Sequence, residues 1–268
     1  MNANVILVVW RESLEAMLIV GILYAWLQRN PSRRGMQGLW LGIGGGLLLA
    51  AGLGLLILGV AGEIEGELLE HFQTGMLFVA CALITHMVLW MKQHGRHLHG
   101  LMQEKLDAQA GNPFGIALIA ALAIGREGAE TVIFLYGASL ESSGLTGMGG
   151  FVNGAATGFA LALLCAWLSA RGLRLIPKRH FYRVSGFILL VFAAALLSAA
   201  VDRLIGAGTL PPLLEPLWDS SALLDDGSTG GRIAASLLGY RAQPSLTLML
   251  VYPAYWLLVA RALRRQSA

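Results

Sequence analysis

Seven stretches of this chain are each long and apolar enough to cross a bilayer, which limits its fold more than any other feature. A hydrocarbon core of roughly 30 Å takes about 20 residues of helix at ~1.5 Å per residue. The stretches run approximately over 4–28, 36–61, 72–91, 114–138, 149–170, 182–202 and 244–263. With 56% hydrophobic and only 13% charged side chains in 268 residues, the sequence reads as an all-α integral membrane protein. The opening MNANVILVVW has neither the basic region nor the small-residue cleavage site of a signal peptide, so the first stretch is expected to remain as a helix.

Arginine and lysine set the expected orientation, because short cytoplasmic loops carry the positive excess. Arg29, Arg33 and Arg34 follow the first stretch, Lys92, Arg96 and Lys105 the third, Arg171, Arg174, Lys178, Arg179 and Arg183 the fifth, and Arg261, Arg264 and Arg265 the last. The intervening loops 2–3 and 4–5 have none, and the long 6–7 segment has only Arg203, Arg232 and Arg241. The N-terminus is therefore predicted outside and the C-terminus inside. The formal net charge of +3 is spread over these short clusters, which gives no basic face for nucleic acid. Cys81 and Cys165 lie in apolar runs without disulfide or zinc spacing.

Inside these apolar helices sit two charged motifs. RESLE at 11–15 recurs as REGAE at 126–130, the same Arg-Glu-x-x-Glu pattern 115 residues on. The glycines of the second stretch, Gly38, Gly42 and Gly46, match Gly150, Gly154 and Gly158 of the fifth at a shift of 112. Phe72 with Gly75 and Phe181 with Gly186 extend the match to the third and sixth. A three-helix unit repeated once is inverted in its second copy, the plan of many secondary transporters, whose substrate site lies near the midplane between the repeats. The chain then divides into a first repeat with an acidic external loop (1–91), a cytoplasmic histidine-containing loop (92–112), a second repeat (113–202), an external loop (203–243), and a seventh helix with a basic tail (244–268).

On a helix, residues three apart share a face, so Glu12 projects with Glu15 and Glu127 with Glu130. Burying one ionised side chain at such depth costs about 3 kcal/mol or more, so these residues need partners or a hydrated cavity. Arg11 and Arg126 compensate two of the four carboxylates. A cation or bound protons would offset the remaining negative charge. All-carboxylate sites suit hard cations, so this chemistry stops at "hard cation or proton". Plain i,i+4 ion pairs that hold a bundle together are the alternative.

Two Arg-Glu-x-x-Glu motifs, in the first and fourth of seven helices, resemble those of the iron permease family, which includes fungal high-affinity permeases and bacterial EfeU-type relatives. WDSSALL at 218–224, GY at 239–240 and PSL at 244–246 also resemble that family's last external segment and final helix. The resemblance implies iron uptake through a multi-pass protein of the bacterial inner membrane. It implies Glu12, Glu15, Glu127 and Glu130 as iron ligands and Arg11 and Arg126 as their counter-charges. It also implies iron as cargo with no organic cofactor, and an external protein that oxidises or delivers iron as partner. A homo-oligomer stays open, and so does the choice between ferrous and ferric ion.

Three other groups carry expectations. Glu63, Glu65, Glu67 and Glu70, with His71, form a dense acidic cluster on the predicted outer side, where they would concentrate cations; a solvated loop of like charges is the alternative. His86, beside Met87 and Met91 in the third stretch, needs a partner at that depth, by metal binding or a hydrogen bond to a neighbouring helix. His94, His97 and His99 stand in the inner loop, where they would relay iron or simply be solvated. Pro- and Gly-rich segment 203–243 is expected outside, with one or two short helices that dock a partner, form a lid, or merely connect. A proton-coupled carrier of another cation or solute is the rival function. An enzyme is not expected, because no HExxH, Ser/His or Cys/His constellation can be placed.

Overall fold

A computed structural model of the chain describes residues 3–94, 112–141, 148–170 and 178–265. Among these residues there are eight helices and no strand. They are α1 (Ala3–Arg29), α2 (Arg33–Glu63), α3 (Gly66–His94), α4 (Pro113–Glu141), α5 (Met148–Ala170), α6 (Lys178–Gly206), α7 (Thr229–Leu238) and α8 (Leu246–Arg265). Ser32 ends the turn between α1 and α2 and caps α2, its hydroxyl accepting from the Gly35 amide at 3.1 Å. Gly66, at φ +61, lets the chain turn back into α3 after only Ile64 and Glu65.

Five helices are long and apolar enough to cross a membrane by length and composition: α2, α3, α5, α6 and α8. The other two long helices, α1 with 27 residues and α4 with 29, carry the Arg-Glu-x-x-Glu motifs. Three charges close together are what set these two apart from the five.

α2 shows which way such a helix faces. Its buried positions include Gly35, Gly38, Gly42, Gly46 and Ala50, whereas Leu41, Leu48 and Leu55 are exposed. A water-soluble helix would bury its leucines. In lipid there is no hydrophobic drive between helices, so small residues pack together and leucines face outward. The glycines bring α2 against α4 backbone to backbone: a Cβ at Gly38 or Gly42 would overlap the carbonyls of Pro113 and Ala117, and one at Gly46 would lie 2.8 Å from the Gly125 nitrogen. Gly158 does the same for α5 against α1, where a Cβ would lie 2.5 Å from the Ile6 carbonyl and 3.1 Å from the Trp10 nitrogen.

The largest interfaces are α2 with α4, α1 with α5 and α3 with α6, and α1 also packs on α4. α6 is the central helix, with Leu189, Ala193, Ala194, Ala195, Leu196 and Ala200 fully buried. α8 leans on α6 and α3, where Tyr255 of α8 meets Thr85 of α3 at 3.0 Å.

The segment after α6 contains one helix, α7, where one or two were expected. It does not stand clear of the bundle. The Ser236 carbonyl accepts from Asn4 Nδ2 on α1 at 3.0 Å, and the Leu238 carbonyl from the Tyr252 hydroxyl on α8 at 3.0 Å. Gly239 ends α7 at φ +70, its Cα so close to α6 that a Cβ would lie 3.1 Å from Ala195 Cα. Ala195 is roughly 16 Å along α6 from its end at Gly206, by helical rise, so the segment folds back along the bundle. Asp202 and Arg241 form an ion pair across its base.

Candidate metal centre

The Arg-Glu-x-x-Glu pattern places its three charged residues on neighbouring turns of one helix face. In α1, Arg11 and Glu12 are each 1% exposed, and the Glu15 side chain is 12% exposed. In α4, Glu127 and Glu130 are also buried, but the Arg126 side chain is 45% exposed.

Glu12, Glu127 and Glu130 converge where α1 packs on α4, each offering a carboxylate oxygen within 4.8 Å of the others. Glu12 Oε2, Glu127 Oε2 and Glu130 Oε2 are buried and accept no hydrogen bond. A buried acceptor left without a donor costs about 1–3 kcal/mol, more when charged, so three together mark a place where a cation would relieve the cost. Oxygen donors alone suit a hard or intermediate cation such as iron.

Glu15 lies beside this trio, close enough to repel its carboxylates but outside the 4.8 Å group, and its buried Oε1 also accepts no hydrogen bond. Its Oε1 lies 2.8 Å from Arg11 Nη2, a close charge contact, while Arg11 Nη1 donates to Glu12 Oε1 at 2.9 Å. Arg126 Nε donates to Glu130 Oε1 at 2.9 Å. The two arginines therefore answer three of the four carboxylates, and Arg11 alone answers two.

Two side-chain types not foreseen as site residues complete the surroundings. Met87 and Met91 of α3 accept from Arg11, with Nη1 to Met87 Sδ at 2.8 Å and Nη2 to Met91 Sδ at 3.0 Å. Trp90, between them, presents its ring to the Arg126 guanidinium, 5.2 Å from carbon to ring centroid. The i, i+3, i+4 spacing of Met87, Trp90 and Met91 was available as a signal, but methionine and tryptophan also read as ordinary apolar packing.

Other predicted residues lie elsewhere. His86 is exposed on α3 and is not part of the group that could hold a metal ion. Glu63 ends α2, Glu65 lies in the connection, and Glu67 and Glu70 occupy the first turns of α3; all four are exposed. His71 Nδ1 meets the Glu67 carbonyl at 2.7 Å. From Glu70 to Met87 is roughly 25 Å along α3, so the acidic cluster is separate from the buried trio. The side chain of His94, with His97 and His99, lies outside the described residues.

Residues 2–264 match the sequence model of the Iron permease FTR1 family. A "Ferrous iron permease EfeU" of Shigella sonnei (strain Ss046) is 33% identical over 263 residues, covering 96% of this chain and 94% of that protein. Proteins of the same name from Escherichia coli O6:K15:H31 (strain 536 / UPEC) and Yersinia pestis are 32% identical over 253 residues and 29% over 258. They cover 93% of this chain in each case, and 90% and 88% of their own lengths. No solved structure matches it.

Proposed function

The chain belongs to the iron permease family, and from that premise we propose that it takes up iron across the bacterial cytoplasmic membrane through the carboxylate cluster between α1 and α4. The observation that carries this reading is the convergence of Glu12, Glu127 and Glu130, from two motifs more than a hundred residues apart, with three buried oxygens that accept no hydrogen bond. Stability alone is a poor reason to keep such a group in lipid, where ionisable residues mark ion pathways.

In this reading Glu12, Glu127 and Glu130 hold the ion. Arg11 and Arg126 offset the remaining charge, and Glu15 is held by Arg11. Seven helices cross the membrane, six of them as two inverted repeats, N-terminus outside. Three features support the repeat. α1 packs on α5 as α4 packs on α2, which is the pairing expected when helices 1, 2, 3 exchange with 4, 5, 6. Gly46 approaches the nitrogen of Gly125, just before Arg126, and Gly158 that of Trp10, just before Arg11. The motif helices α1 and α4 meet each other directly.

Iron would pass the exposed glutamates at the α2–α3 turn, shed water for carboxylates, and leave inward as the two repeats rock. Protonation of a glutamate would weaken the site and assist release. The segment after α6 supplies a surface for an external protein that oxidises or delivers iron: Trp218 and Leu223 are exposed there, Leu223 at 90%.

Uptake of radioactive iron into liposomes containing the protein tests this, with iron offered in each oxidation state beside Glu12→Gln, Glu15→Gln, Glu127→Gln and Glu130→Gln. Equal uptake by wild type and all four variants would overturn it.

A further inference from the structure

α3 supplies none of the clustered carboxylates, yet it touches both arginines. The two Nη nitrogens of Arg11 carry four hydrogens between them. Each nitrogen meets one carboxylate, Glu12 or Glu15, and one thioether, Met87 or Met91. A thioether is a weak acceptor, and a carboxylate oxygen is a far stronger partner for guanidinium. Even so, Glu12 Oε2 accepts no hydrogen bond and Arg11 Nε donates none.

Arg126 shows the same arrangement in another form. Its side chain is nearly half exposed and long enough to move, yet its guanidinium is placed by the Trp90 ring on one side and Glu130 Oε1 on the other. Glu127 Oε2 and Glu130 Oε2 remain without donors. In both cases an α3 side chain contacts a guanidinium that also binds one carboxylate oxygen of the trio.

We propose that Met87, Trp90 and Met91 form a rest for the two arginines, which holds them off the free oxygens of Glu12, Glu127 and Glu130 and so keeps those oxygens open to the cation. The three are positioning residues, acting on the ion only through Arg11 and Arg126. The thioethers are already engaged by Arg11, which leaves iron to the oxygens. This inference rests on the reading of the trio as the iron site.

Without the rest, an incoming cation must displace a guanidinium, so apparent affinity falls while turnover at saturation is retained. Proteoliposome uptake over a range of iron concentrations reads this as KM against Vmax. Trp90→Leu is expected to raise KM about fivefold, the loss of roughly one cation–π contact, and Trp90→Phe to stay near wild type. Met87→Leu with Met91→Leu is expected to raise KM by a similar factor. Met87→Gln with Met91→Gln, matched in length and still able to accept from Arg11, is expected to restore it.

A packing role predicts the reverse order at the methionines, with leucine tolerated and buried glutamine harmful. That order, or wild-type KM in Trp90→Leu, overturns the inference. Where the methionine variants fail to fold, the Trp90 pair decides alone. Glu12→Gln and Glu127→Gln in the same liposomes separate the two levels. If they lose uptake while the α3 variants keep wild-type KM, only the rest is wrong; if they too keep wild-type KM, the iron site itself is wrong.

Discussion

Gly158 sits against the backbone of Trp10 so closely that a Cβ on it would come within 3.1 Å of the Trp10 nitrogen. The next residue is Arg11, so this contact fixes how deep the first motif lies. Gly46 stands in the same relation to Gly125 and the second motif. Gly158→Val and Gly46→Val are each expected to destabilise the protein by about 1–3 kcal/mol, the usual effect of forcing bulk into a close-packed contact. Gly52→Val is the control, because nothing lies within 4 Å of a Cβ there. Thermal unfolding in detergent reads the difference; equal melting of all three would mean the contact does not hold the helices together.

The four motif glutamates are expected to be unequal. Glu12, Glu127 and Glu130 share one small volume, while Glu15 faces Arg11. Replacing a carboxylate of the trio by glutamine removes one charge and one ionic ligand, which should weaken iron binding at least about tenfold. Glu15→Gln leaves the trio intact and is expected to lose less, within about threefold of wild type. Equilibrium iron binding to the purified protein ranks them, and Glu15 ranking first among the four would contradict the geometry.

That inequality was beyond reach of the sequence. The spacing Arg-Glu-x-x-Glu puts Glu12 beside Glu15 and Glu127 beside Glu130 by helical geometry alone, so the four could be gathered without a structure. Which three converge depends on the depth and rotation of α1 against α4, set by contacts of Gly46 and Gly158, which lie far in the sequence from the motifs they pack beside. The long helices were legible for a simpler reason: runs of apolar residues about 20 long have few other uses. In the sequence Met87 and Met91 stand beside His86 without a role, and Trp90 draws no notice at all, because their chemistry appears only once an arginine from another helix arrives. His86 drew attention as a ligand type, yet the rotation of α3 turns it outward. The fold-back of the segment after α6 was hidden for a related reason, since its polar composition matched an external loop while its anchors, Asn4, Ala195 and Tyr252, are scattered along the chain.

The two arginines should also differ. Arg11 is buried with its side chain 2% exposed and answers Glu12 and Glu15, whereas the Arg126 side chain is 45% exposed and answers Glu130. Removing one partner of a buried ion pair costs about 3–5 kcal/mol, because a charge is left behind without compensation. Arg11→Leu is therefore expected to approach that loss. Arg126→Leu should cost less, since Arg126 answers one carboxylate where Arg11 answers two. Chemical or thermal unfolding of the detergent-solubilised variants measures both, and a larger loss at Arg126 would count against this ranking.

Gly239 offers a test of the folded-back segment. It ends α7 at φ +70, where a side chain strains the backbone by roughly 1–2 kcal/mol. A Cβ there would also lie 2.8 Å from Ser198 Oγ and 3.1 Å from Ala195 Cα. Gly239→Ala is thus expected to lift the turn off α6 without touching the carboxylate trio. Limited proteolysis of the purified protein should cut the 203–243 segment faster in this variant, while its iron binding stays near wild type. Unchanged cleavage would mean that the segment does not depend on this contact for its place along the bundle.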